Sequence, residues 1–137
     1  MVRRAVAINI KDMVECVEEE FIKIEILPIF ANLIRDEIDS VKISSIENCS
    51  HMLKYYTKNE IQTNIIPYLK NADPQHASWR IRFAVGEALL EISKQVDDEI
   101  VRKNIFPVYD QMLKDHEQEV KSNAVLKVVE LLDKLTQ

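Results

Sequence analysis

Apolar side chains recur at helical spacing along most of the chain. Residues three or four positions apart lie on one side of an α-helix, so this spacing predicts amphipathic helices, each with one buried face. Seven such helices are predicted, over residues 2–16, 18–35, 40–56, 59–71, 78–95, 98–113 and 118–135.

The predicted buried face of each longer helix follows from that spacing. In the second helix this face is Phe21, Ile24, Leu27, Phe30 or Ala31, and Ile34; in the third helix it is Val41, Ser45, Cys49, Met52 and Tyr56. In the fifth helix it is Ile81, Val85, Ala88, Ile92 and Val96; in the seventh helix it is Val120, Ala124, Val128, Leu131 and Leu135.

Asn59 is expected to cap the fourth helix, because its side chain can accept a hydrogen bond from a free backbone N–H.

Two landmarks repeat with one period. Prolines fall inside apolar runs at Pro28, Pro67 and Pro107, which are almost evenly spaced. A Val or Ile followed by a basic residue recurs at the same spacing, as Val2-Arg3, Val41-Lys42, Ile81-Arg82 and Val120-Lys121. A helical period of about 40 residues predicts an all-α fold, an α-solenoid of stacked helix pairs.

The period divides the chain into three helix pairs and one leading half-repeat within a single domain. We expect the half-repeat at 1–16 and the repeats at 17–56, 57–96 and 97–137. Because the chain opens on the second-helix pattern, we expect it to be a piece of a longer array. Both of its ends should then expose apolar faces.

A proline inside a helix normally costs about 3 kcal/mol, because it removes a hydrogen bond and clashes with the preceding turn. Here the proline recurs at the same position of each first helix. We therefore interpret it as structural, a bend that each repeat shares.

Composition narrows the class of function. The chain of 137 residues has a single glycine and a net charge of -5. Little glycine disfavours β-rich folds and glycine-rich phosphate loops. An acidic chain without a basic stripe is a poor binder of nucleic acid, because contacts to phosphates dominate that affinity. No apolar run is long enough for a membrane span or a signal peptide, so cytoplasm or nucleus is the expected location.

Candidate chemistry is sparse. Cys16 and Cys49 are interpreted as reduced thiols in the core. The three histidines, at positions 51, 76 and 116, share no metal-ligand spacing. The sequence contains neither a nucleophile elbow nor a cysteine and histidine pair at suitable spacing. We therefore expect no metal, no cofactor and no enzymatic activity.

Trp79 is the only tryptophan, and it lies at the start of a predicted second helix. The equivalent positions of the other two repeats are Asp39 and Gln118. A tryptophan beside Arg80 has the composition of an interaction hot spot. The alternative is that Trp79 only covers the neighbouring helix pair.

The recurring basic residues, Arg3, Lys42, Arg82 and Lys121, are predicted to join adjacent turns as a ladder of ion pairs and carbonyl contacts. Arg4 and Arg80 lie outside this register and are better candidates for contacts with partner carboxylates. The acidic turns, Asp36 to Asp39 and Asp115 to Glu119, are predicted to cap second helices, with partner binding as an open second role.

The proline in the first helix and the acidic turn before Val-Lys resemble HEAT repeats. One family is similar over essentially the whole chain: the scaffolding A subunit of protein phosphatase 2A, a regulatory subunit. Its likeness rests on Val2-Arg3-Arg4-Ala5, the run from Ile26 to Leu33, Asp36-Glu37, Asp39-Ser40-Val41-Lys42, the run from Ser78 to Arg82, and Glu119-Val120-Lys121.

The resemblance implies a scaffold without catalytic activity. In that family the turns between paired helices form a ridge on which regulatory B-type subunits dock, while the catalytic subunit binds repeats outside the segment that this chain resembles. The ridge positions that the resemblance implies here are Arg3, Arg4, Asp36, Glu37, Asp39, Ser78, Trp79 and Arg80. The turn of residues 73–77 departs from the family pattern, because it holds one position more than the corresponding turns of the neighbouring repeats.

Two other functions stay open. A HEAT protein of the importin-β kind would bind cargo or a small GTPase, although the match at Ser78-Trp79-Arg80 argues against it. A small hydrolase on a helical scaffold would turn over generic phosphatase or esterase substrates, and no turnover is expected.

Overall fold

The structure is a computed structural model that describes residues 2–73 and 78–136, with side-chain surroundings through residue 135. The described residues form helices joined by short turns, without any strand. None of the described helices combines the length and the hydrophobicity that a membrane span requires. The all-α solenoid that the sequence predicts is confirmed.

The first helix of each pair is built from three consecutive segments. We call these helices α2, α4 and α6; each has a short α-helical start, a π-helical middle and an α-helical end. Their segments are Glu19–Phe21, Ile22–Ile26 and Leu27–Ile34 in α2; Lys58–Glu60, Ile61–Ile65 and Ile66–Lys70 in α4; and Asp98–Ile100, Val101–Ile105 and Phe106–Met112 in α6.

The second helices are α1, α3, α5 and α7, and they pack against one another in chain order. Helix α5 is Trp79–Ser93 and α7 is Gln118–Thr136. Helix α3 starts as an α-helix at Asp39–Asn48 and tightens to a 3₁₀-helix at Cys49–Tyr55. Because each second helix touches the next, the pairs form one stack, as expected of a solenoid.

Helix α1 was predicted as one helix over residues 2–16. The structure has two segments, Val2–Ile8 and Ile10–Cys16, with an interruption at Asn9. The Asn9 side chain donates a hydrogen bond to the carbonyl of Ala5 at 2.8 Å. Such a side-chain bond to the backbone competes with the helical pattern and accounts for the break.

Each π-helical segment ends directly before the segment that carries the repeated proline. The N–H of Leu27 donates to the carbonyl of Ile22, five positions back, and the same bond recurs from Ile66 to Ile61 and from Phe106 to Val101. The wider turn provides room for the proline ring, which would clash with the carbonyl four positions back in a regular α-helix. The prediction that the prolines lie within helices is therefore confirmed.

The predicted buried face of α2 is wrong in its first half. Phe21 is 54% exposed and Ile24 is 58% exposed. The side chains that pack into the core instead recur at every fourth position: Ile22, Ile26, Phe30 and Ile34. The π-helical turn is wider than an α-helical turn, so a spacing of four stays on one face.

The predicted faces of α3 and α5 are confirmed as buried. On α7, Val120, Ala124 and Leu131 are buried, whereas Val128 and Leu135 are only partly buried. Apolar side chains are also exposed on the two outer second helices, as expected: Val2 and Ile8 on α1, and Val125, Leu126, Val129 and Leu132 on α7.

Asn59 does not cap α4. The cap is Thr57, whose hydroxyl accepts from the N–H of Glu60 at 3.1 Å while the Glu60 carboxylate accepts from the N–H of Thr57 at 3.1 Å. This reciprocal capping box satisfies two free donors at once, so it is preferred over a single asparagine contact.

The two cysteines have different surroundings. Cys49 is completely buried, as predicted, and burial raises the pKa of its thiol to about 12. Cys16 was predicted to be a core thiol as well, but it is exposed at the end of α1. The apolar spacing of α1 ends before Cys16, because Val14 is the last buried residue of that helix.

The neighbouring isoleucines of the first π-helical turn provide a test of the corrected register. Ile26→Ala should lower the free energy of unfolding by roughly 2–5 kcal/mol, because Ile26 is 3% exposed and its truncation leaves a cavity. Ile24→Ala should change it by less than about 0.5 kcal/mol, because Ile24 is mostly exposed. Urea denaturation measures both; equal losses would contradict the register.

The cysteines should differ in reactivity in the native protein. Iodoacetamide at neutral pH should alkylate Cys16 and leave Cys49 unmodified, because Cys49 is buried with a raised pKa whereas Cys16 is exposed. Mass spectrometry of tryptic peptides measures the site. Labelling both thiols equally before unfolding would contradict the structure, and labelling in urea is the positive control.

Candidate protein-binding surface

A ladder of polar contacts joins the turns of adjacent helix pairs. Three basic residues of the Val/Ile-basic pattern reach the turn of the following pair. Arg3 contacts Asp36 at 2.5 Å, Lys42 donates to the carbonyl of Ala72 at 3.2 Å, and Arg82 contacts Asp115 at 2.6 Å. The predicted ladder is therefore confirmed at three of its four positions, including its mixture of ion pairs and a carbonyl contact.

Arg82 is the best-enclosed member of the ladder. Its guanidinium donates to both carboxylate oxygens of Asp115, at 2.6 and 3.0 Å, and to Asp73 at 2.8 Å. Only 14% of its side chain is exposed. The bonds to Asp115 and Asp73 raise the pKa of Arg82 despite partial burial. A bidentate pair with a second carboxylate fixes the two turns relative to each other.

The acceptor aspartates also organise their own turns. Burial alone would raise the pKa of Asp115, but the bonds from Arg82 and from the N–H of Glu117 lower it overall. At the corresponding place, the N–H of Ile38 donates to Asp36 at 2.9 Å and, together with Arg3, lowers the pKa of Asp36. These carboxylates therefore close the turns before the second helices begin. The prediction that the first acidic turn caps α3 is wrong, because Ile38 occupies the N-cap position and no side chain caps the helix there.

The remaining predicted residues of the first turn are at the surface. Glu37 and Asp39 are exposed, and neither has a side-chain bond to another described residue. Arg4 is likewise exposed without such a bond within the described ranges, next to Arg3 on α1. Arg3 and Asp36 pair with each other. Arg4 on α1, with Glu37 and Asp39 near the turn, is therefore more available to a partner.

Trp79 and Arg80 form a partly exposed stack at the start of α5. The Arg80 guanidinium lies over the Trp79 ring, 4.9 Å from its centre, in cation–π geometry. The Phe83 ring meets the Trp79 ring edge-on, at 6.5 Å and 90°. The Trp79 ring therefore contacts both a cation and a second ring. Ser78, just before the helix, is half-buried, and its N–H donates to Asp73 at 3.2 Å.

A groove of about 360 Å³ runs beside this stack, across three second helices. We call it the Trp79 groove. Its walls are mostly apolar, with two carboxylates at the edges; it is lined by Ile43, Glu47, Trp79, Arg80, Phe83, Ala84 and Glu119. An aromatic side chain, an apolar wall and a charged rim are the composition of a protein-binding site.

The sequence pointed to Trp79 and Arg80, and it left partner binding open for Glu119, but Ile43, Glu47, Phe83 and Ala84 were not predicted. Phe83 was within reach, because it lies four positions after Trp79 on the same helix face. Ile43, Glu47 and Glu119 come from other helices, and only the stacking of α3, α5 and α7 brings them to Trp79.

Two sequence predictions fall in the gap at positions 74–77. His76 and the additional position of the turn at 73–77 lie outside the described residues. Among the described residues, no three acidic, histidine or cysteine side chains are grouped so that they could hold a metal ion.

Residues 40–137, well over half of the chain, match the family described as the Vacuolar 14 Fab1-binding region. The chain belongs to this family. The matched part includes the whole Trp79 groove, whereas Arg3, Arg4, Asp36, Glu37 and Asp39 precede it. No curated protein matches the chain. At a coarse level, the chain is therefore a helical-repeat scaffold that binds other proteins.

The Arg82 contacts provide a test of the ladder. Asp115→Asn should lower the free energy of unfolding by roughly 1–3 kcal/mol at pH 7, because it removes a charge-assisted pair from a mostly buried guanidinium. The folded-state pKa of Asp115 is lowered, so this stabilisation exists above the unfolded pKa of about 3.9 and is lost as pH falls through the folded value.

Urea denaturation at pH 7, 5 and 3 therefore measures whether the difference between wild type and Asp115→Asn narrows in acid. Asp110→Asn is the control, because its pair with Lys114 is mostly exposed and should contribute at most about 1 kcal/mol. A pH-independent difference would contradict the ladder's electrostatic origin.

Proposed function

We propose that the chain is a non-catalytic HEAT scaffold, working in the cytoplasm or nucleus, whose Trp79 groove and adjoining turns dock a protein partner. The observation that carries this proposal is the Trp79–Arg80 stack beside an apolar groove. A partly exposed tryptophan with a positioned arginine is the arrangement from which binding hot spots are built.

The groove suits an apolar anchor of the partner. Trp79 and Phe83, in edge-on contact, form part of its wall, and Ile43 contributes another apolar part from α3. Because the rings of the groove are already packed against each other, binding of an apolar side chain would cost them little additional conformational entropy. Arg80 on one side, with Glu47 and Glu119 on the others, would select the charge pattern around the anchor.

The mechanism is geometric. In a solenoid each helix pair contacts its neighbours. The ladder of Arg3, Lys42 and Arg82 joins their turns and would therefore restrain how one pair is oriented relative to the next. Small rotations at each rung add along the stack, so it can hold a partner at a defined yet adjustable place.

Two partners are candidates. The family is named for binding Fab1, which favours a Fab1 protein as the partner. The Ser78-Trp79-Arg80 arrangement favours the second candidate, a B-type regulatory subunit of protein phosphatase 2A, because the resemblance implies a partner contact at those residues. In that case Arg3, Arg4, Asp36, Glu37 and Asp39 would border the same docking ridge, and the catalytic subunit would bind outside this chain.

A titration distinguishes the candidates. The whole chain is titrated separately with a Fab1 protein, a B-type subunit and the catalytic phosphatase subunit, using isothermal calorimetry. We expect one of the first two to bind and the catalytic subunit not to bind. Trp79→Ala should weaken that binding by roughly 2 kcal/mol, about thirtyfold, because it removes the central anchor wall.

Arg80→Glu should weaken binding as well, through charge reversal beside the groove, without loss of helicity. Its matched control is Arg102→Glu, the same reversal at an exposed position on α6, away from the groove. Equal effects of the two reversals would point to net charge as the cause. Unchanged binding in both Trp79→Ala and Arg80→Glu would refute the proposed groove.

A further inference from the structure

The residue after each repeated proline varies in size between the first helices. It is Ile29 in α2, Tyr68 in α4 and Val108 in α6. Between α2 and α4, the Tyr68 ring packs edge-on against Phe30, with centroids 6.4 Å apart and an interplanar angle of 67°. The Arg35 guanidinium lies over the same ring, 5.3 Å from its centre. An aromatic ring therefore fills this junction, with a cation above it.

The next junction, between α4 and α6, has smaller residues at both equivalent positions. Val108 stands where α4 has Tyr68, and Leu69 stands where α2 has Phe30. A cavity of about 410 Å³ lies here, which we call the inter-repeat pocket. Its apolar floor comes from Leu69, Val85, Val108 and Met112. The junction between α2 and α4 thus shows that an aromatic ring can pack between neighbouring repeats.

The lining of the inter-repeat pocket has three basic side chains, Lys70, Arg82 and Lys114, and two carboxylates. Its two carboxylates, Asp73 and Asp115, are both bound by Arg82. Lys70 and Lys114 are exposed at the rim, and the pair of Lys114 with Asp110 is mostly solvated and therefore weak. The two exposed lysines therefore place ammonium groups at the rim, where a neighbouring carboxylate of a ligand could meet them.

We propose that the inter-repeat pocket binds an aromatic side chain of a partner polypeptide that carries acidic residues beside the ring. The ring would take the place in trans that Tyr68 takes within the chain, against Leu69 and Met112. The neighbouring carboxylates would meet Lys70 and Lys114. This site is separate from the Trp79 groove, and it shares none of that groove's lining residues.

The probe is the capped tripeptide Glu-Tyr-Glu, with capped Glu-Ala-Glu and Lys-Tyr-Lys as comparisons. The chain has four methionines, so a methyl-labelled methionine NMR spectrum is simple to follow. Met112 lines the pocket, and Met52 is fully buried outside it. Glu-Tyr-Glu should shift the Met112 signal in a saturable way and leave Met52 unchanged. The two comparison peptides should do so more weakly.

Two variants decide the proposal. Val108→Tyr places in α6 the ring that α4 already has, so it should fill the pocket and weaken Glu-Tyr-Glu binding by at least about tenfold. Lys70→Glu changes only an exposed rim charge and should weaken Glu-Tyr-Glu by several fold, while reducing the preference over Lys-Tyr-Lys. Circular dichroism confirms that each variant is folded.

The proposal is overturned if Met112 does not respond to Glu-Tyr-Glu up to millimolar concentration. It is also overturned if folded Val108→Tyr binds the peptide as wild type does. Should Val108→Tyr fail to fold, Lys70→Glu carries the decision: an unchanged peptide preference in that variant refutes the charged rim.

Discussion

Neighbouring helix pairs are held together by the apolar faces that they bury against each other. The second helices α1, α3, α5 and α7 contact one another in chain order. Burial between neighbours makes the repeat itself the unit of stability. The regular spacing of prolines, π-helical turns and basic residues follows from it, because each junction must solve the same packing problem.

The turns convert this regular stack into a surface for function. Arg82 holds Asp73 and Asp115 together, and the equivalent contacts of Arg3 and Lys42 hold the other turns. With the turns joined in this way, the second-helix starts stand side by side. Side chains that depart from the repeat, above all Trp79, then stand out on an otherwise regular face. The differences between repeats therefore carry the candidate binding sites, while their shared features carry the fold.

Several features could be predicted because they depend on local sequence. The helices, the buried faces of α3 and α5, the ladder and the prominence of Trp79 all follow from spacing or from a comparison of repeat positions. The failures have local physical causes as well. The π-helical turn moved the buried face of α2 from Phe21 and Ile24 to Ile22 and Ile26, and a capping box placed the cap of α4 at Thr57.

An all-α repeat of constant period could be predicted without the fold, because helical spacing and repeated landmarks are read along one chain in order. Which side chains share a site depends on how the helices pack, and the spacing along the chain does not give that. Glu47, Phe83 and Glu119 come together at the Trp79 groove because three second helices stack there. Val108 and Leu69 leave the inter-repeat pocket open because both are small where the preceding junction holds rings, and only the packing of two repeats brings these distant positions together.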